Sequence, residues 1–230
     1  MTFKLSNKLV PIISKSEFDD VASDFLKKYY PQALSEPMAV PIEDIAVQQM
    51  NLQIKRVHIS EDLSILGQIF FNSGCAEVYL KDTDEFGYET VSKGTMFIDP
   101  DVAIERNGGC ERNTIAHECV HWHIHRLYHD AQINAGGNIT VALRCPVDAP
   151  IEQSKTKRTS EDWMERQANG IAPRILMPKA QFINRVNDHP SYSKIHNNIF
   201  HLELLVDDIA TFFDVSKQSA CIRLSELGLK

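Results

Sequence analysis

Four histidines, His117, His121, His125 and His129, recur at intervals of four within RNTIAHECVHWHIHRLYH, residues 112–129. On a helix, residues four apart lie one turn apart on the same face. The first two histidines frame His117-Glu118-Cys119-Val120-His121, an HExxH pattern. Two imidazoles on adjacent turns can converge on one ion, and zinc takes nitrogen and oxygen donors in tetrahedral geometry. Glu118 follows the first imidazole and leans over the same site, where it can take a proton from a water activated at the metal. The expected chemistry is zinc-assisted hydrolysis with Glu118 as general base.

The other ligands must be counted. An α-helix rises 1.5 Å per residue, so His117 and His125 stand about 12 Å apart along an unbroken axis. His117 and His121 can share an ion; His125 and His129 cannot join them. The extended metzincin pattern, which draws a third histidine from the same stretch, fails because position 127 is Leu. The third ligand therefore comes from elsewhere. The candidates are Glu161 and Glu165, one turn apart in SEDWMERQANGIAPRILMP, residues 160–178. Two His and one Glu leave a fourth position for water, but spacing alone does not choose between the two carboxylates. If Glu165 is the ligand, Asn169 lies one turn beyond it and can accept from the outer nitrogen of a ligating imidazole. His125 is a second candidate for such an outer contact.

Cys119 lies about 200° around the helix from His117 and should face the core; His123 also points away from the ligand face. Cys75, Cys110 and Cys145 carry thiols that could block a metal. Trp122 and Trp163 read as core anchors joining the two metal-bearing helices.

The elements that must hold these residues can be read along the chain. Residues 16–30 pattern as an amphipathic helix capped by Ser16, with Phe18, Val21, Ala22, Phe25 and Leu26 inward and Pro31 as its stop. A second helix starts at Pro41 with Ile42, Ile45, Ala46 and Met50 inward. LQIKRVHI, ILGQIFF, AEVYL, YETV and TMFID are short runs rich in β-branched and aromatic residues, and KDTDEFG reads as a hairpin loop between the third and fourth. They predict a small, largely antiparallel sheet just before the histidine helix. Gly108-Gly109 reads as a breaker, after which Asn113 or Thr114 caps the helix, which runs to about Tyr128. Residues 130–160 are mostly loop with one strand, ITVAL, and KTKR at 155–158 is a short charged loop. The next helix opens near Ser160, with a bend expected at Gly170–Pro173. The order is α+β.

The chain has 230 residues, is 43% hydrophobic and carries a formal charge of −7, so no basic surface points to nucleic acid. No 18-residue apolar run is present and the N-terminus lacks a signal-peptide pattern, so neither a membrane nor secretion is expected. Five irregularly spaced cysteines without a CxxC pair fit a reducing, cytoplasmic setting. Residues 203–230 have the rhythm of a helix-turn-helix around Asp214-Val215-Ser216, but five acids against three bases argue against DNA.

The two metal segments carry a resemblance. HECVH, then ERQANGIAPRILMP, then FDVSKQSACIRLSELGL resembles the ImmA/IrrE family of zinc metallo-endopeptidases. His125 matches the histidine that often follows that family's HExxH. Glu165, Ala168 and Asn169 match its Glu-x-x-Ala-Asn segment, and Leu176, Met177 and Pro178 its ending. The resemblance implies Glu165 as third zinc ligand, a zincin-like α+β fold and cytoplasmic regulatory proteolysis of a repressor-like protein. The expected layout is a metallopeptidase domain over 1–195 with a helical segment, 196–230, packed on it. The competing readings are a DNA-binding regulator with a structural metal and a zinc hydrolase acting on small molecules.

Overall fold

The structure is a computed structural model and describes residues 3–136, 142–146, 159–197 and 199–230. The KTKR loop and residues 139–141 of ITVAL lie outside these residues. The first helix, α1 (Phe18–Tyr29), buries the five expected residues. Phe25 and Leu26 are wholly enclosed, each worth about 1.5–3 kcal/mol of burial. A 3₁₀ turn precedes it, so the cap falls at Ser14 rather than Ser16: the Ser14 backbone N–H donates to the Glu17 carboxylate at 2.8 Å. The second helix is short, α2 (Ile42–Asp44) followed by a π-helical turn to Gln49, and buries Ile42, Ile45 and Ala46.

Six strands follow among the described residues: β1 (Gln53–Arg56), β2 (Ile65–Phe70), β3 (Gly74–Leu80), β4 (Glu85–Val91), β5 (Thr95–Ile98) and, much later, β6 (Ala142–Pro146). The main sheet runs β1-β5-β2-β6, and β3 and β4 form a separate antiparallel ribbon. Among the described residues only β1 and β5 pair in parallel. Every residue of β5 is buried, as a central strand requires.

The histidine helix is longer than its sequence suggests. It begins with α3 (Gly108–Val120), passes through a π-helical turn at His121–His125 and continues as α4 (Arg126–Asn134). Its cap is Asn107, whose side chain accepts from the Cys110 N–H at 2.9 Å. Thr114 lies inside the helix and donates its hydroxyl to the Cys110 carbonyl at 3.0 Å. Gly109 does not break the helix. A Cβ there would lie 2.4 Å from the Ser216 nitrogen, so its bareness lets the C-terminal turn approach.

The second metal-bearing helix, α5 (Ser160–Leu176), has a reciprocal cap: Asp162 N–H donates to Thr159 Oγ1 and Thr159 N–H to the Asp162 carboxylate. Pro173 is accommodated within it, and the Arg174 guanidinium donates to the Gly170 carbonyl one turn back. A Cβ at Gly170 would meet the Phe18 ring at 2.2 Å, so α1 crosses α5 closely there. Helices α6 (Lys179–Asn187), α7 (Ile199–Phe213) and α8 (Lys217–Glu226) complete the chain. Ser216 caps α8 by accepting from the Ser219 N–H. One hydrophobic cluster runs through α1, α3, α5, α7 and α8. Arg223 of α8 is 2% exposed and paired with Asp19 of α1, so this base is not available to a nucleic acid. Among the described residues no helix is long and apolar enough to cross a membrane.

Candidate metal centre

Helix α3 lies between the sheet, on the β2 and β5 side, and α5. This sandwich gives the HExxH residues their surroundings: His117, Glu118 and His121 are all fully buried. The Nε2 atoms of His117 and His121 stand 2.8 Å apart. Across from them, the Glu165 carboxylate places Oε2 at 3.1 Å from His117 Nε2 and Oε1 at 3.2 Å from His121 Nε2. Glu161, one turn earlier, is exposed. Burial pushes the Glu165 carboxyl up, but the two imidazoles together hold it well below the usual carboxylate range. Burial also lowers the proton affinity of His121, which leaves a lone pair to offer.

The donors fit a divalent ion. Two imidazole nitrogens and a carboxylate at these separations can all be reached by one ion at about 2.0–2.2 Å, the range for zinc with nitrogen and oxygen ligands. Both Glu118 oxygens are buried without a hydrogen-bond partner, a costly state in the absence of a ligand. Burial, with the Glu165 charge adding to it, raises the Glu118 carboxyl well above its usual range. That carboxylate faces β2: a Cβ on Gly67 would sit 3.2 Å from Glu118 Oε1 and 2.6 Å from Thr114 Cγ2. Only a glycine strand residue can lie so close.

The other histidines take separate positions. His125 Nδ1 meets His121 Nδ1 at 2.9 Å, its Nε2 meets Gln167 Oε1 at 2.9 Å, and Gln167 Nε2 donates to the Pro11 carbonyl at 2.7 Å. His129 stacks on Phe71 with centroids 3.9 Å apart. His123 packs edge-on against Phe25 and reaches the Tyr29 hydroxyl. Asn169 is exposed; the residue of α5 that touches the outer histidine is Gln167. Its signal was present, since Met164, Gln167, Ala168 and Ile171 form the buried stripe of α5, and a lone polar residue on such a stripe needs a partner. Of the two tryptophans, Trp122 packs on the core and Trp163 departs from expectation. Trp122 stacks on Phe71, but Trp163 is 41% exposed with the Arg166 guanidinium over its ring. A bulky ring on the outer face of α5 cannot anchor that helix to α3. Cys119 is buried, as its helical angle demands.

A second group of possible donors, His58, Asp99 and Asp101, is committed to structure. Asp99 accepts from the Ile59 and Asp101 backbone N–H groups, and Lys81 pairs with Asp101 at 2.8 Å.

A small mainly antiparallel sheet packed on an HExxH helix, inside an α+β body, defines a zincin-like protein. Residues 77–225 match the IrrE N-terminal-like domain, a peptidase family, and the chain belongs to that family. Membership makes it a metallopeptidase-type protein and implies a metal ion and protein substrates. No curated protein matches the sequence.

Proposed function

We propose that the chain is a zinc-dependent endopeptidase that cuts a repressor-like protein in the cytoplasm. The supporting observation is the meeting of His117, His121 and Glu165 beside a buried Glu118 whose oxygens have no partner. In this reading His117 and His121, through Nε2, and Glu165 hold the zinc, and His125 orients His121. A zinc ion held by these residues would supply Lewis acidity toward a peptide carbonyl and toward the attacking water. Glu118 accepts the proton of the attacking water and passes it to the leaving amine. The substrate binds as an extended strand along a sheet edge. Residues 1–195 form the catalytic body and 196–230 a helical segment docked on it by Arg223, Gly109 and the shared core. Five cysteines without a disulfide fit a reducing compartment.

Glu118→Gln tests the reading. It keeps the shape, so zinc binding persists while hydrolysis falls by about 10²–10⁴-fold or more. Hydrolysis at the wild-type rate would remove Glu118 as the base. The repressor-like substrate is tested by co-expression with a repressor encoded beside the gene and mass mapping of the products; an intact repressor counts against that substrate.

A further inference from the structure

Strand β6 lies on the outer edge of β2. Since β5 takes the other edge of β2 among the described residues, a peptide adding to β2 would have to take the place of β6. This edge is also near the chemistry, because β2 carries Gly67 directly against Glu118. In β6 the residue paired with Gly67 is Cys145. Paired residues of neighbouring strands point to the same face, and the Cys145 sulfur accordingly comes within 4.8 Å of a His117 ring nitrogen and a Glu118 carboxylate oxygen, on one side of the His117, His121 and Glu165 set, so that sharing their ion would draw the sulfur inward toward His121 and Glu165. Cys145 is 6% exposed. The Glu118 carboxylate beside it is wholly buried and has no hydrogen-bond partner. A strand pairing, a thiol and an unpartnered acid thus meet beside His117.

We propose that β6 is an internal stopper of this site: it takes the substrate's edge of β2 and places Cys145 Sγ as a fourth donor to the metal. The proposal rests on the metal-site reading of His117, His121 and Glu165. Thiolate sulfur is a strong zinc donor with bonds of about 2.3 Å, and four protein ligands make a closed site, whereas hydrolysis needs an open one. The protein is latent while β6 is seated and becomes competent when β6 leaves the edge and a peptide replaces it. Both occupants use the same main-chain hydrogen bonds of β2, so seating of one excludes the other.

Cobalt(II) loaded into the full-length metal-free protein tests this directly. Visible ligand-field bands report an ion held by the site, and a near-ultraviolet sulfur-to-cobalt band reports a bound thiolate. We expect both in the wild-type protein. The sulfur band should vanish in Cys145→Ser with the visible bands retained, and survive in Cys110→Ser. Zinc binding by Cys145→Ser should weaken roughly tenfold or more, no less than the loss of an outer-shell partner. Visible bands without a sulfur band in the wild type would overturn the stopper and leave the metal site standing. The absence of both sets would overturn the metal site itself. A sulfur band that persists in Cys145→Ser would assign the thiolate to another cysteine and overturn the proposal. Should Cys145→Ser fail to fold, alkylation mapping of the wild type decides: Cys145 reacting equally fast with and without zinc overturns it, and protection by zinc supports it.

Discussion

The Nδ1 atoms of His121 and His125 face each other at 2.9 Å, so one must carry a hydrogen and the other a lone pair. The choice is fixed some distance away. The Pro11 carbonyl can only accept, so Gln167 donates to it through Nε2 and turns its oxygen to His125. His125 then carries its hydrogen on Nε2. Burial and the neighbouring His121 lower its proton affinity well below the ordinary value, so it is neutral and its Nδ1 accepts. His121 must donate from Nδ1, which leaves Nε2 bare and directed at His117 and Glu165. A backbone carbonyl near the N-terminus thereby sets the tautomer of a residue 110 positions later.

Gln167→Ala breaks this relay while touching no proposed ligand. Zinc affinity should fall by about 10–100-fold, as for other outer-shell partners, with little change in the circular dichroism spectrum. A competitive chelator titration measures it. Unchanged affinity would show that His121 needs no such orientation.

The ligand assignment has its own control one helical turn away. Glu165→Ala removes a carboxylate 3.1 and 3.2 Å from the two imidazoles and should abolish tight zinc binding. Glu161→Ala removes an exposed carboxylate and should leave binding within about twofold, the range of an ordinary surface change. Metal analysis after dialysis compares them, and the reverse order would displace Glu165 from the site.

Local pattern made the HExxH pair and the inward faces of the first two helices legible. Phe18, Val21, Ala22, Phe25 and Leu26, and Ile42, Ile45 and Ala46, are buried as their spacing requires. What local pattern could not give was contact between distant segments. Gly109 looks like a helix breaker until Val215 and Ser216 are placed against it. Asn169 sits at the right helical angle to follow Glu165, yet α5 is rotated so that the Met164–Gln167–Ala168 stripe is the buried one and Gln167 meets His125. The π-helical turn at His121–His125 has no signature in a run that also fits an α-helix. Nor did composition show that Cys145, among five cysteines, is the one paired with Gly67.

Gly109→Ala sets two effects against each other. Within a helix, alanine is favoured over glycine by about 1 kcal/mol. Here the new methyl would lie 2.4 Å from Ser216 N and 2.5 Å from Val215 C, which are backbone atoms that cannot rotate away. Overpacking of this kind costs about 1–3 kcal/mol, so the variant should be less stable in urea, with faster amide exchange in α8. A gain in stability would mean that the C-terminal hairpin shifts freely on α3.

Acid stability follows from His129. Its ring is stacked on Phe71, it is 3% exposed, and its Nε2 is buried without a partner. Burial, with His121 adding to it and Asp130 opposing it, brings its pKa down to about 4. The unfolded chain titrates near 6.5, so between these values the unfolded state binds the extra proton. The stabilisation is complete above about pH 6.5 and is lost as the pH falls toward 4. The loss is about 2 kcal/mol by pH 5, at about 1.4 kcal/mol per unit. His129→Phe keeps an aromatic ring against Phe71, removes the unpartnered nitrogen and cannot take a proton. Urea unfolding at pH 7 and pH 5 should therefore show a smaller acid loss in this variant, by about that amount. An equal loss in both proteins would place the acid sensitivity on other groups.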